Sequence, residues 1–386
     1  LRIKWLMKKS KQKRNNISDR VNNINYSAIR RAFNAGLEKS IIDLTIGQPD
    51  FETPKYLKDS AKKFIDLGYN KYTPTKGILE LRKAISKKLK NNKIIKNEDE
   101  IIVTAGTTSA IFMTLFSLIN GSDEVIIFSP YFVAYKEIVE FIGGKAVIVR
   151  TDKNFQPDIE SLKKFVTQRT KVIIINSPNN PTGAVYPKSI IKEIVKIAEK
   201  NSLYVISDEI YSSLIYDSVQ FFSPAEIYPK TIIVDGLSKS KAITGWRIGY
   251  VAGPKEIINA IEKVQQFTSV CAPSPFQYAA IEAINTDIEK SIIDEYQKRR
   301  DLIFKNLKDV TSLIKPHGAF YFFIKTPVSS EIFAEKLLKK GVAVVPGKVF
   351  GDDYRNYIRI SYATSEEKLK EAFSIIKEAL DSKVRI

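Results

Sequence analysis

The chain has 386 residues, 44% of them apolar and 27% charged, a balance that suits a soluble globular protein of two domains and excludes a disordered or fibrous one. No apolar run approaches the roughly 18 residues a membrane-spanning helix needs, and a single cysteine, Cys271, has no partner for an internal disulfide, which points to a reducing cytoplasm. The net charge of +18 raises the question of nucleic acid, but lysines such as Lys192, Lys196 and Lys200 recur at helical spacing as a solvated face, without a recognised nucleic-acid-binding signature, so neither nucleic acid nor membrane is an expected partner.

Residues 1–16 are strongly basic and lack the uninterrupted apolar stretch of a secretory signal. Met7 within them suggests an appended extension, which takes no part in the fold reading. The first strand predicted in the middle of the chain is Ile101–Val103. It runs into Thr104-Ala105-Gly106-Thr107-Thr108-Ser109-Ala110 and then an apolar helix, Ile111–Ile119. Small residues between a strand and a helix form either a plain tight turn or a place where backbone N–H groups grip an anion at the helix N-terminus.

Strands follow at Glu124–Phe128, Lys145–Val149 and Val172–Ile175. The last enters Asn176-Ser177-Pro178-Asn179-Asn180-Pro181-Thr182-Gly183, a rigid turn that can present the Asn180 amide. Tyr186–Asn201 is a predicted helix with Ile190, Ile191, Ile194, Ile197 and Ala198 on one side. The strand Leu203–Ser207 then ends in Asp208-Glu209-Ile210-Tyr211. A carboxylate there is either a helix N-cap or a group facing a cation or several donors, because burying it alone is costly.

Thr231–Val234 ends in Gly236-Leu237-Ser238-Lys239-Ser240-Lys241-Ala242-Ile243-Thr244-Gly245-Trp246-Arg247-Ile248-Gly249. This places a lysine just beyond an apolar strand and eight positions before an arginine. With Ile248–Ala252 the alternation of strands and helices predicts a doubly wound, mainly parallel sheet of the seven-stranded type, flanked by helices. Ligands of such sheets sit beyond the carboxyl ends of the strands, where these residues lie.

After about residue 290 the pattern becomes α+β. A charged helix near Ser291–Val310 leads to strands Ala319–Ile324, Val342–Val345 and Tyr357–Ser361 and a C-terminal helix. The expected division is a large domain over residues 46–290 and a small one combining 1–45 with 291–386. His317, the only histidine, falls in a predicted turn and offers neither a catalytic triad nor a multi-histidine metal site, so no metal is expected.

Taken together, these segments resemble the class I aminotransferases, pyridoxal-phosphate enzymes of fold type I that include aspartate and aromatic aminotransferases. The resemblance runs from Ile46-Gly47-Gln48-Pro49-Asp50-Phe51 to Ile358-Arg359-Ile360-Ser361-Tyr362-Ala363, and Gly236–Gly249 matches the family's lysine-attachment signature. It implies pyridoxal 5'-phosphate as cofactor, held by Lys239 as a Schiff base, with Lys239 also the proton carrier. Asp208 is implied as the partner of the pyridine nitrogen, Tyr211 and Asn180 as partners of the phenolic oxygen, and Phe132 as the aromatic stacked on the ring. The backbone around Gly106, Thr107 and Thr108, the Ser238 hydroxyl and Arg247 are implied phosphate ligands. Tyr72 matches a tyrosine that reaches the neighbouring subunit's phosphate, which implies a homodimer with shared sites. Arg359, with Asn180 and Gly47, is implied to clamp the substrate α-carboxylate.

The implied reaction moves the amino group of an L-amino acid, aspartate or aromatic, to a 2-oxo acid such as 2-oxoglutarate. Two departures bear on it: Gly236 stands where some members carry serine, and Thr108 where bacterial-type aspartate enzymes carry a lysine for the second carboxylate. The motif Lys315–Tyr321 and the loop Pro346–Gly351 resemble archaeal aspartate and aromatic enzymes alike. A lyase of the same fold acting at Cβ or Cγ is the alternative. A DNA-binding regulator is a remoter one, needing a further domain ahead of motifs that begin by Gly47. Substrate choice is expected to depend on the arm around Tyr26–Arg31.

Overall fold

The computed structural model describes residues 17–22, 36, 40–90 and 95–381. The basic residues 1–16 and the arm at 26–31 lie outside the described residues. Twelve strands are found among the described residues: β1 (Ile42–Asp43), β2 (Ile101–Thr104), β3 (Glu124–Ser129), β4 (Lys145–Arg150), β5 (Thr170–Asn176), β6 (Tyr204–Asp208), β7 (Thr231–Gly236), β8 (Gly249–Ala252), β9 (Tyr321–Lys325), β10 (Val342–Ala343), β11 (Val345–Pro346) and β12 (Tyr357–Ser361).

Seven of them form one sheet in the order β2-β8-β7-β6-β5-β3-β4. All pairs are parallel except those of β8, which runs antiparallel to both β2 and β7. Period-2 alternation divides its side chains between two cores. Ile126, Phe128, Ile173 and Ile175 face one, while Val125, Ile127, Val172 and Ile174 face the other. Helices cover both faces. The Lys188–Lys200 helix buries Ile191, Ile194, Val195 and Ala198 and turns its lysines outward. Each buried isoleucine contributes about 1.5–3 kcal/mol, and truncating Ile191 to alanine costs about 2–5 kcal/mol.

A separate core joins the C-terminal elements to an N-terminal segment. Leu44 packs with Tyr296, Phe320, Phe322, Ile360 and Phe373. β11, β12 and β9 form an antiparallel sheet, and β1 pairs in parallel with β10. The run Val342–Val345, expected as one strand, is therefore two: its first half joins β1, its second joins β12. The Lys290–Leu307 helix spans this region and carries two adjacent arginines. Arg299 Nη1 donates to both oxygens of Asp50 at 2.9 and 2.8 Å. Arg300 is fully buried and forms a two-pronged pair with Asp217 at 2.7 and 2.8 Å. His317 sits in its turn with Nδ1 3.3 Å from Asp217.

Candidate active site

The parallel register sets Asn176, the last residue of β5, beside Asp208, the last of β6. β7 delivers Gly236 one strand over, and the chain turns from there to Ser238 and Lys239. The carboxyl ends of three strands thus meet at a cavity of about 210 Å³. Gly47, Thr107, Thr108, Phe132, Asn180, Asp208, Tyr211, Ser238, Lys239, Arg247 and Arg359 all line it. Of the residues singled out in the sequence, Gly106 and Tyr72 are not in that lining. Gly106 lies directly behind Arg247, and Tyr72 is 85% exposed, away from this chain's cavity.

The helix after β2 begins earlier than expected, at Thr107 rather than Ile111, so Thr107, Thr108 and Ser109 are its first turn and not a loop. Gly106 is its N-cap, with φ 86° and ψ 164° and no side-chain cap. The first helical bond runs from the Ala110 N–H to the Gly106 carbonyl. The three preceding amides therefore have no helical partner and point outward as an anion cradle. A Cβ at Gly106 would lie 2.2 Å from Arg247 Nη2, and one at Gly249 would lie 2.8 Å from the Thr107 nitrogen. Absent side chains let the arginine and the strand close on the helix end. Arg247 has φ 55° and donates from Nη1 to the Thr244 carbonyl at 3.0 Å.

Asp208 is buried and satisfied by donors rather than by a cation. The Tyr135 hydroxyl donates to Oδ2 at 2.6 Å, and the Ile210 N–H approaches Oδ1 at 3.3 Å. Burial outweighs these bonds and pushes the carboxyl up to about 6. Asn176 donates to the Asp208 carbonyl at 3.2 Å and accepts from the Asn180 N–H at 2.9 Å, fixing the turn that carries Asn180. The Lys239 amine donates to the Gly47 carbonyl. Burial, reinforced by Arg359 and Arg247, pulls it down to about 8.

Arg359, on β12, is 1% exposed. It donates from Nη1 to Asn180 Oδ1 at 3.0 Å and from Nη2 to the Thr45 carbonyl, while its buried Nε has no hydrogen-bond partner. A buried guanidinium with an unused donor, lining a cavity, suits a carboxylate that has yet to arrive. The Tyr211 hydroxyl oxygen lies 2.8 Å from that of Tyr321, and either of the two can be the donor.

Sequence reasoning missed Tyr135 and Tyr321 as site residues. Tyr135 lies three residues beyond Phe132, which stands just ahead of the helix Ala134–Phe141, and the two rings meet edge to face at 5.6 Å, so closeness in sequence to Phe132 is the signal that could have found it. Tyr321 closes a motif already noted but gives no sign of its target. Among the described residues no group of His, Cys, Asp or Glu could hold a metal ion, and no helix is long and apolar enough to cross a membrane.

A cradle of backbone amides with Ser238 and Arg247 fits a phosphate. A nearby amine of lowered basicity fits an aldehyde, and a buried carboxyl fits a ring nitrogen. The donor set as a whole therefore suits pyridoxal 5'-phosphate.

Comparison with known proteins agrees. The family model described as aminotransferase class I and II matches residues 39–376. A probable aspartate aminotransferase of Methanocaldococcus jannaschii is 42% identical over 95% of this chain and 100% of its own length. The aromatic-amino-acid aminotransferase 2 of Thermococcus litoralis is 39% identical over 95% of this chain and 99% of its own. The solved structure of the Thermus thermophilus aspartate aminotransferase with maleate superposes with a TM-score of 0.91 at 38% identity, covering 95% of this chain and 100% of that one. Site, fold and relatives lead to one conclusion: the chain belongs to the class I and II aminotransferases, enzymes that use pyridoxal 5'-phosphate to pass amino groups between amino acids and 2-oxo acids.

Proposed function

We propose that the chain transfers the amino group of L-aspartate, an aromatic L-amino acid, or both, to 2-oxoglutarate, with Lys239 as the attachment residue and base. The observation that carries the reading is convergence. One amine, one buried carboxyl and two guanidiniums from three separate segments of the sequence line a single cavity. When bound, pyridoxal phosphate supplies a conjugated ring that accepts the electron pair left on the substrate α-carbon. The first-turn amides after Gly106, with Thr107, Thr108, Ser238 and Arg247, hold its phosphate. Asp208 would serve the ring nitrogen and favour its protonated form, Tyr211 and Asn180 would serve the phenolic oxygen, and Phe132 would supply the aromatic wall beside the ring.

Lys239 anchors the cofactor and, when free, takes the proton from the α-carbon. An amine pulled down to about 8 is available as a base near neutral pH, which an ordinary lysine is not. Arg359 takes the α-carboxylate with help from Asn180 and the Gly47 backbone, and its unused Nε supports that role. The aspartate and aromatic choices rest on the relatives' names, and Thr108 leaves the second carboxylate of aspartate without the lysine of the bacterial-type enzymes.

The same reading includes a cytoplasmic homodimer whose subunits share sites, Tyr72 of one serving the phosphate of the other. Tyr72 and Phe267, 85% and 90% exposed, support it. They lie on neighbouring segments, since Ser274 and Gln277 bond to Lys71 and Thr73 and Gln265 bonds to Thr75. It also includes the division into residues 46–290 and 1–45 with 291–386, supported by the β1–β10 pairing.

The test is direct. Purified protein with the cofactor, 2-oxoglutarate and either L-aspartate or L-phenylalanine is expected to yield glutamate. Release of ammonia and pyruvate without glutamate would mark a lyase instead.

A further inference from the structure

Tyr321 touches three parts of the site at once. It opens β9, where Ser361 is its partner on β12, while Arg359 pairs with Phe323. Tyr321 and Arg359 are thus diagonal neighbours on one face of the sheet, close enough for long side chains to meet. The guanidinium carbon lies 4.6 Å from the Tyr321 ring centroid, with Phe350 at 5.2 Å as a second aromatic neighbour. At the other end of the ring, the hydroxyl is 2.8 Å from that of Tyr211. It also occupies the space above Gly47, where a Cβ would lie 2.5 Å from it. The side chain is fully buried.

A phenol carries one proton. Two hydroxyls in contact share one hydrogen bond, and the one that donates has no proton left for another acceptor. Tyr211 and Tyr321 both line the cavity, so the direction of this bond decides which of them offers a proton to a ligand there. Either oxygen can donate, but the Arg359 guanidinium 4.6 Å from the Tyr321 ring centroid favours the charge that phenol would carry on losing its proton, and so makes Tyr321 the stronger donor of the pair. If Tyr321 donates to Tyr211, Tyr211 keeps its own proton for the cavity.

Resting on the proposed function, we infer that Tyr321 is a positioning residue that serves two subsites: its hydroxyl donates to Tyr211 and so aims the Tyr211 proton at the cofactor, while its ring holds the Arg359 guanidinium in place for the substrate carboxylate. The two duties sit on different atoms and are separable. Tyr321→Phe removes the oxygen and leaves the ring. Tyr321→Leu removes both.

The experiment follows the pH midpoint of the bound cofactor's visible absorbance, together with KM for two amino acids. In Tyr321→Phe the midpoint rises by roughly 0.4 to 1 pH unit, the worth of one net hydrogen bond, and KM stays within about twofold. In Tyr321→Leu the midpoint rises likewise, and KM for both amino acids increases roughly 3- to 30-fold through loss of the ring beneath Arg359. The midpoint shift runs through Tyr211, so adding Tyr321→Phe to Tyr211→Phe moves the midpoint no further. An unmoved midpoint in Tyr321→Phe, or a shift that persists in the Tyr211→Phe background, overturns the hydroxyl's role. Equal KM increases in both Tyr321 variants overturn the ring's role. A wild-type protein that takes up no cofactor with a visible band defeats the proposed function itself, a separate result.

Discussion

Gly106→Ala probes the phosphate cradle at its tightest point. Two costs follow from the geometry, and they appear in different measurements. Backbone at φ 86° and ψ 164° is in a region that residues with a Cβ enter at a cost of about 1–3 kcal/mol, and this strain loads the fold itself. In a protein of this size it lowers the melting temperature by about 1–4 °C. The second cost falls on binding. The new Cβ would stand 2.2 Å from Arg247 Nη2, and the flexible end of the arginine gives way before the helix does. Losing one charge-assisted bond to phosphate weakens binding by about 1.5–3 kcal/mol, or roughly 10- to 150-fold. Titrating apoprotein with pyridoxal phosphate, by absorbance or by quenching of the two tryptophans, gives the dissociation constant. Because the substitution acts through Arg247, its effect shrinks when Arg247 is already lysine. Wild-type affinity in Gly106→Ala, or losses that simply multiply in the double variant, would refute the reasoning.

Three further outcomes are expected. Lys239→Ala abolishes borohydride-reducible attachment and the visible band; a mutant that still holds the cofactor covalently would falsify the assignment. Because only the neutral amine attacks an aldehyde, cofactor capture by wild-type apoprotein speeds up as pH rises and levels off above about 8, where Lys239 is deprotonated. A rate that keeps climbing to pH 10 would mean an ordinary lysine. Phe267→Glu places a charge on the exposed face shared with Tyr72 and shifts sedimentation from dimer toward monomer, whereas unchanged dimers would put the interface elsewhere.

The strands of the large sheet were legible in the sequence because fully buried parallel strands read as short β-branched runs, as at Val172–Ile175 and Thr231–Val234. Their ends were legible because chemistry-bearing residues there interrupt apolar patterns. The direction of β8 was not: a run such as Ile248–Ala252 has no polarity. Its antiparallel course comes from a connection between Gly236 and Gly249 that holds only the short turn Thr244–Trp246 rather than a crossover helix. The early helix start at Thr107 was hidden because packing against Gly249, not local propensity, winds those small residues. Tyr135 meets Asp208 across 73 positions and Tyr321 meets Tyr211 across 110, distances over which local periodicity carries no information.

The contact between Gly249 and the Gly106–Thr107 backbone has a consequence for how such a protein changes over generations. Main chain rests against main chain there, so the placing of the phosphate-receiving amides depends on what two glycines lack, apart from the Ser238 and Arg247 side chains that would join them. The backbone part of the cradle therefore survives exchange of a first-turn side chain such as that of Thr108, whose amide stays in place whatever residue carries it, so substrate preference can drift while those amides are inherited intact.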